Sequence, residues 1–386
     1  MGKIVAARLH WIPMITVTID SPKPDLGPHW DDLVARASPN VFMDPAALLA
    51  AVATGFAVIR VLLAWEGEGA ARKLVGVWAL RLRKFAPLWP IVLDALPFNY
   101  AFVSSPVVDP AYADAVIAAF LSAIGKSGLP KILNLSSIDA EGPVYSAILR
   151  ALAERGAEPL VLSKLSRPYV TSESGVKRSG STRKKLRQDW NRLSALGTVD
   201  IRNDRTPAEV QGAFEIFLAL EKASWKGERG TALLSHESDA AFVRRLIQNL
   251  AERQNASVAQ LRVNGEVIAA QVLMYCGNTA YTWKTAFDAG YARYSPGTLL
   301  VDKITDELLA SETIRAVNSC AAESSFMGQL WSGRRAMADM LIDVGPGKSF
   351  GYRVEALRLT GYQRLRDLRD RLRERPALPA KITKVA

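Results

Sequence analysis

The residues best placed to do chemistry lie between positions 280 and 300. Tyr281, Trp283, Lys284 and Asp288 stand on and just beyond an apolar run, and Tyr291, Arg293, Tyr294, Ser295, Pro296, Gly297 and Thr298 follow it. The pattern predicts a strand ending near Phe287, a loop, and a helix opening at Pro296-Gly297-Thr298. Backbone N–H groups at a helix start have no partner within the helix and suit phosphate oxygens. Gly297 would let a ligand approach the backbone, and Thr298 would add a hydroxyl. The local alternative is that Ser295 caps the helix and Pro296 takes its favoured first position. Lys284 and Asp288, four residues apart at a strand end, face one side. Two readings stay open for them: a pair beside a donor, with Asp288 taking the proton of an attacking amine, or a structural pair fixing the loop. Cys276 has no histidine partner in view and reads as a buried thiol.

The elements that must position these residues alternate along the chain. The N-terminal half reads as a strand (14–19), a helix opened by Asp44-Pro45, strands at 56–64, 74–82 and 99–108, a helix at 110–124, a strand at 132–135, a helix ending near Gly156 and a strand at 160–165. A Ser/Gly/Pro-rich linker follows from Arg167 to Gly180, then a basic helix (181–196) with Leu186, Trp190 and Leu193 on one stripe and Arg183, Lys184, Arg187 and Asn191 opposite. The C-terminal half repeats the order: a strand at 199–202, helices from Thr206-Pro207 and from Ser238, a three-strand meander (257–287), a helix at 296–309, a strand at 314–320, a helix at 327–342 and a strand at 352–359. A charged amphipathic tail carries Leu365, Leu368 and Leu372. Antiparallel meanders between the βα units point to a mixed α/β sheet and against a doubly wound nucleotide-binding fold.

Bulk properties narrow the function. A chain of 386 residues, 49% hydrophobic and 23% charged, is globular and long enough for two domains. Cys276 and Cys320 lack metal-ligand spacing and His10, His29 and His236 are scattered, so no metal site is expected. The apolar stretch 46–64 is broken by Gly55 and Arg60 and falls short of the about 20 residues a membrane span needs. A soluble, cytoplasmic protein is expected. The charge of +11 suits an anionic partner: a phosphorylated cofactor, a nucleic acid or a membrane surface.

The run Tyr291-Ala292-Arg293-Tyr294-Ser295-Pro296-Gly297-Thr298-Leu299-Leu300, preceded by Lys284-Thr285-Ala286-Phe287-Asp288, resembles the CelD/BcsL-type acetyltransferase-like family of the GNAT superfamily. So do Glu221, Ser224, Trp225, Lys226, Gly227 and Gly230, and the basic helix before Asn191-Arg192-Leu193. The resemblance covers about Pro39 to Ile342, is strongest from Ser181 to Leu309, and extends to the Fem-type aminoacyl transferases, which also have two such units. It implies two tandem GNAT-like units: a degenerate N-terminal one (1–166), a linker with the basic helix (167–197), an acyltransferase unit (198–360) and a charged tail (361–386).

The resemblance further implies acetyl-CoA or another acyl-CoA as donor, held by Arg293, Tyr294, Ser295, Gly297 and Thr298, and transfer to an amine of a small-molecule or lipid-linked sugar. Trp225, Lys226 and Arg229 would overhang the acceptor side. Glu221, one turn earlier, would serve as general base or acceptor ligand, or would merely pair with Lys222 or Lys226. Catalysis would fall to Asp288, Glu221 and Lys284. Two features depart from the pattern: Ser295-Pro296-Gly297-Thr298 has fewer glycines than the usual pyrophosphate loop, and Asn318-Ser319-Cys320-Ala321-Ala322-Glu323 replaces an Asp-Phe-x-x-Gly segment. An aminoacyl-tRNA-dependent transferase, using the basic helix, and a non-catalytic scaffold of exopolysaccharide biosynthesis are the alternatives. The N-terminal unit, with Val108-Asp109-Pro110-Ala111 at the matching turn, is expected not to bind the donor, because Asp109 would repel phosphate.

Overall fold

The computed structural model describes residues 14–373; His10, the last part of the expected tail (374–386) and the Leu372 side chain lie outside the described residues. Among the described residues the strands are β1 (Ile15–Asp20), β2 (Ile59–Glu66), β3 (Lys73–Lys84), β4 (Ile91–Asp94), β5 (Val107–Val108), β6 (Ile132–Asp139), β7 (Leu160–Thr171), β8 (Val199–Asp204), β9 (Ala256–Val263), β10 (Glu266–Cys276), β11 (Thr279–Phe287), β12 (Ala316–Asn318) and β13 (Arg334–Asp343). The helices are α1 (Gly27–Val34), α2 (Pro45–Ala53), α3 (Ala113–Lys126), α4 (Pro143–Ala153), α5 (Gly180–Ser194), α6 (Pro207–Ala223), α7 (Trp225–Glu228), α8 (Glu237–Glu252), α9 (Pro296–Ala310), α10 (Phe326–Leu330) and α11 (Phe350–Arg373).

Local chemistry explains many of the boundaries. Asp44 accepts from the Ala46 N–H at the start of α2, and Thr206 accepts from the Glu209 N–H at the start of α6, each with proline at the first helical position. In α8, Phe242, Val243, Leu246, Ile247 and Leu250 recur at helical spacing and are buried.

All the strands join one mixed sheet in the order β1-β2-β3-β4-β6-β13-β7-β12-β11-β10-β9-β8, with β5 paired to β3. The expected repeat of element order is present, but the two halves exchange their last strands. β7 lies between β13 and β12, while β13, from the C-terminal half, lies between β6 and β7. Neighbours are antiparallel along most of the sheet; the parallel pairs are β4/β6 and β11/β12, one in each half. One apolar core runs across both halves, with Phe56 stacked on Phe242 at 4.1 Å.

Several expected elements differ. Residues 327–342, expected as a helix, form the short α10 and then β13. Arg334–Asp343 is rich in Met, Ala and Leu, which favour helices, but burial between two neighbouring strands overrides that preference. Residues 352–359, expected as a strand, belong to the 24-residue helix α11, where Tyr352, Glu355 and Leu359 form the face turned to the protein. This helix also crosses the expected tail boundary at 361. Of the expected strand 99–108 only Val107–Val108 is extended and paired, and β4 takes the place it was expected to fill. The expected linker from 167 begins only after Thr171, because β7 continues beside β12.

Candidate active site

β11 and β12 pair in parallel only at Thr279/Ala316, Ala280/Val317 and Tyr281/Asn318; β12 then ends while β11 continues to Phe287. The strands therefore part at Thr282, whose hydroxyl donates to the Asn318 carbonyl at 3.3 Å. Just beyond, the register of β11 against β10 slips between Val272/Lys284 and Leu273/Thr282, leaving Trp283 as the extra residue of a bulge. A bulge re-aims the side chains beside it. Here it brings Trp283 and Lys284 under the Asn99-Tyr100 turn of the N-terminal half: Trp283 Nε1 donates to the Tyr100 carbonyl at 2.9 Å, and Lys284 Nζ lies 4.9 Å from the Tyr100 ring centre. Tyr100 has a φ of 73°, a strained backbone for a tyrosine, and its hydroxyl donates to Asp239 of α8.

Glu221 lies in the last turn of α6 and is 1% exposed. One carboxylate oxygen accepts from Lys226 Nζ at 2.9 Å, the other from the Leu233 N–H at 2.9 Å, and Lys284 Nζ lies 3.8 Å from the first. The chain reverses tightly enough here that a Cβ on Gly227 would come 1.7 Å from the Lys222 carbonyl oxygen, so only glycine fits. Burial lowers the Lys284 pKa and Lys226 lowers it further, while the Glu221 charge opposes both; the net position is below the usual lysine range. Burial and the Asp239 bond push Tyr100 well up. A lysine tuned downward at a parting of parallel strands is able to exchange a proton with an amine.

The expected residues thus separate. Glu221, Lys226 and Lys284 come together, so Lys226 is an internal partner of Glu221 rather than a free clamp. Trp225 is 55% exposed, with the Arg229 guanidinium 5.0 Å from its ring centre. Lys284 and Asp288 do not pair, because four strand residues span about 13 Å. Asp288 instead accepts from the Gly290 N–H at 2.8 Å and caps the 3-10 turn that leads to α9.

Ser295 does not cap α9 with its side chain. It adopts a left-handed backbone (φ 52°), its carbonyl accepts from the Thr298 and Leu299 N–H groups at 3.0 and 3.1 Å, and its hydroxyl lies 3.4 Å from Lys185 Nζ. Gly297 is buried, and a Cβ there would meet Phe287 at 3.3 Å and Thr285 at 3.4 Å, so this glycine serves the contact between α9 and β11. The Arg192 and Arg293 guanidinium groups flank Tyr294 at 5.5 and 4.8 Å from its ring centre. Lys185, Arg192 and Arg293 thus gather where the donor phosphates were expected, two of them from α5.

Tyr100 and Asp239 escaped the sequence reading. They are distant in sequence from every motif, and the stretch holding Tyr100 resembled a strand. Cys276 and Cys320 are buried thiols, as read for Cys276; burial pushes the first well up and the second to about 12. Among the described residues, no group of three or more His, Cys, Asp or Glu could hold a metal ion, and no helix is long and apolar enough to cross a membrane.

At the corresponding place in the N-terminal half, β4 and β6 pair in parallel at Leu93/Leu133 and Asp94/Asn134. Asp94, 4% exposed, accepts there from Arg81 at 2.8 Å, Arg83 at 2.6 Å and Asn134 at 2.9 Å. Arg83 continues to Glu355 of α11 at 2.9 Å. Asp109 does not present a bare charge: it bonds Arg36 at 2.8 Å and caps Ala111. Burial alone would raise its carboxyl, but Arg36, the Ala111 amide and Lys73 together hold it below the usual range.

Residues 180–326, which contain the parting strands, the Glu221–Lys284 cluster and α9, match the family model described as an acetyltransferase (GNAT) domain. This stretch is a GNAT-type acetyltransferase domain. The superfamily's fold implies acyl-CoA as donor substrate. Solved structures share the fold across most of the chain. FemX aligns with a TM-score of 0.58 at 11% identity, over 82% of this chain and 95% of FemX. The C-terminal domain assigned to a lysylphosphatidylglycerol synthetase of Agrobacterium fabrum gives 0.51 at 14% identity, over 82% and 92%. L-PGS of Bacillus licheniformis gives 0.50 at 15% identity, over 89% and 98%. No curated protein sequence matches this chain. These likenesses show one shared fold running across both halves.

Proposed function

We propose that this GNAT protein transfers an acetyl or other acyl group from acyl-CoA to an amine on a sugar or lipid-linked cell-envelope precursor, in the manner of the CelD/BcsL type. The observation that carries this reading is the buried Glu221–Lys284 pair beside the parting of β11 and β12. Lys284, lowered by its surroundings, accepts the proton of the attacking amine; Glu221 and Lys226 set its pKa from opposite directions. The thioester lies between the parted strands, and backbone amides of the bulged stretch of β11 stabilise the oxyanion. Arg293, with Lys185 and Arg192 of α5, meets the donor phosphates, while Trp225 and Arg229 border the acceptor. Asp288 keeps its capping role, so the base moves from Asp288 to Lys284. The N-terminal half is degenerate as a donor site, because the Asp94 network occupies the equivalent parting.

Calorimetric titration with acetyl-CoA and a thiol-release assay over a panel of amino sugars test this. Binding in the micromolar range and release dependent on one acceptor class support it. Absence of binding at millimolar acyl-CoA removes it.

The exposed Arg183, Lys184 and Arg187 of α5 favour one second reading, transfer from aminoacyl-tRNA. Lys184→Glu with Arg187→Glu should then weaken tRNA binding strongly and flatten its salt dependence.

A further inference from the structure

Eighteen large hydrophobic side chains are exposed among the described residues, and eight of them fall in two short segments: Phe85, Leu88 and Ile91 in the first, and Phe350, Leu357, Tyr362, Leu365 and Leu368 in the second. The second segment lies on α11. At 3.6 residues per turn, Phe350, Leu357, Leu365 and Leu368 fall within about 80° of arc, on the face opposite the buried Tyr352 and Glu355. Arg353 and Arg364 line one edge of this stripe and Arg358 the other. The helix holds seven arginines against three acids, a net +4.

The first segment is the tip of the β3–β4 hairpin, and it adjoins the same helix. Leu88 is fully exposed there, Phe85 and Trp89 meet edge to face at 5.4 Å, and the Arg358 guanidinium lies 4.8 Å from the Phe85 ring centre. A Cβ on Gly351 would lie 3.1 Å from Pro90, which shows how closely the hairpin and the helix start are packed. Two elements distant in sequence thus present one apolar patch with arginine borders.

We infer that this patch docks the protein onto the surface of an anionic lipid bilayer. An apolar helix face flanked by arginine, with an aromatic and leucine-bearing tip beside it, matches the interfacial mode. In that mode the apolar side chains enter the headgroup boundary and the cations meet lipid phosphates. A second copy of the chain fits less well: packing stripe on stripe would bring arginine borders of like charge together, whereas anionic headgroups neutralise them. The inference is independent of the acyl-transfer reading, since the patch shares no residue with the Lys284 cluster.

Co-sedimentation of the full chain with vesicles of phosphatidylcholine alone, and of phosphatidylcholine mixed with phosphatidylglycerol, tests it. Partition into the anionic vesicles only, weakening as salt is raised, is expected. Leu88→Ser and the pair Leu357→Ser with Leu365→Ser should each reduce partition at least about tenfold. Arg353→Ala and Arg364→Ala should each cost about fivefold. All these positions are exposed, so circular dichroism should stay unchanged. No partition of the wild type into anionic vesicles would overturn the inference, as would leucine variants that partition like wild type. A dimer in analytical ultracentrifugation that the Leu357 and Leu365 variant dissociates, without vesicle binding, would overturn it in favour of a second copy.

Discussion

The two parallel strand pairs of this molecule occupy equivalent places in their halves and are furnished in opposite ways. At β4/β6 a carboxylate sits at the parting, and two arginines, an asparagine and, through Arg83, the C-terminal helix close over it. At β11/β12 the longer strand carries a bulge and a lysine, held by one carboxylate at 3.8 Å and by aromatic rings. In the first, opposite charges satisfy one another in several directions and leave little to offer a ligand. In the second, an ammonium group is desolvated more than it is paired, and its pKa falls. Topology supplies both openings; the side chains give them opposite electrostatic characters.

Breaking the second site should have the largest effect. Lys284→Arg retains the charge but cannot give up its proton, and should lower single-turnover acyl transfer by about 10²–10⁴-fold. Lys284→Met should match it, with acyl-CoA affinity little changed in calorimetry. The tuning is testable separately. Since Glu221 raises the Lys284 pKa, Glu221→Gln should move the rising limb of kcat/KM to lower pH, whereas a purely structural Glu221 would leave that limb in place.

Breaking the first site should affect stability instead. Asp94→Ala strands two partly buried arginines and should cost about 3 kcal/mol in denaturant unfolding, with acyl-CoA affinity unchanged in the folded fraction. A loss of donor binding there would make the two partings functional equals. Gly297→Val comes next: the added side chain would press on Thr285 and Phe287, costing about 1–3 kcal/mol of stability along with donor affinity. Asp288→Ala should have the smallest effect, about 1 kcal/mol from a lost cap, with near wild-type turnover. A collapse of turnover in Asp288→Asn would return the base to that residue.

Much of the C-terminal half was legible in the sequence because its signals are local. Thr206-Pro207 opens α6, Asn264-Gly265 turns β9 into β10, and Pro296 opens α9. Each is set by backbone chemistry within a few residues. The Glu221–Lys226 link was also within reach, being one helix end and its following turn. The pairing expected of Lys284 and Asp288 failed because facing the same side of a strand does not shorten the distance along it. Gly297 was read as room for a ligand, yet the room is taken up by packing against β11.

By itself, the sequence determined most of the alternation of elements, many of the caps and turns, the burial of Cys276 and the excess of positive charge, all of which follow from composition and short-range spacing. Tertiary structure alone decided that Met- and Ala-rich residues 334–343 would be a strand, because two neighbouring strands offered their hydrogen bonds. It also decided that the halves would exchange strands, and that Tyr100 would cover a lysine 184 positions away. Such long-range contacts leave no periodic trace in either segment. They arise only when the folded sheet brings the segments together and burial makes each group's charge depend on its new neighbours.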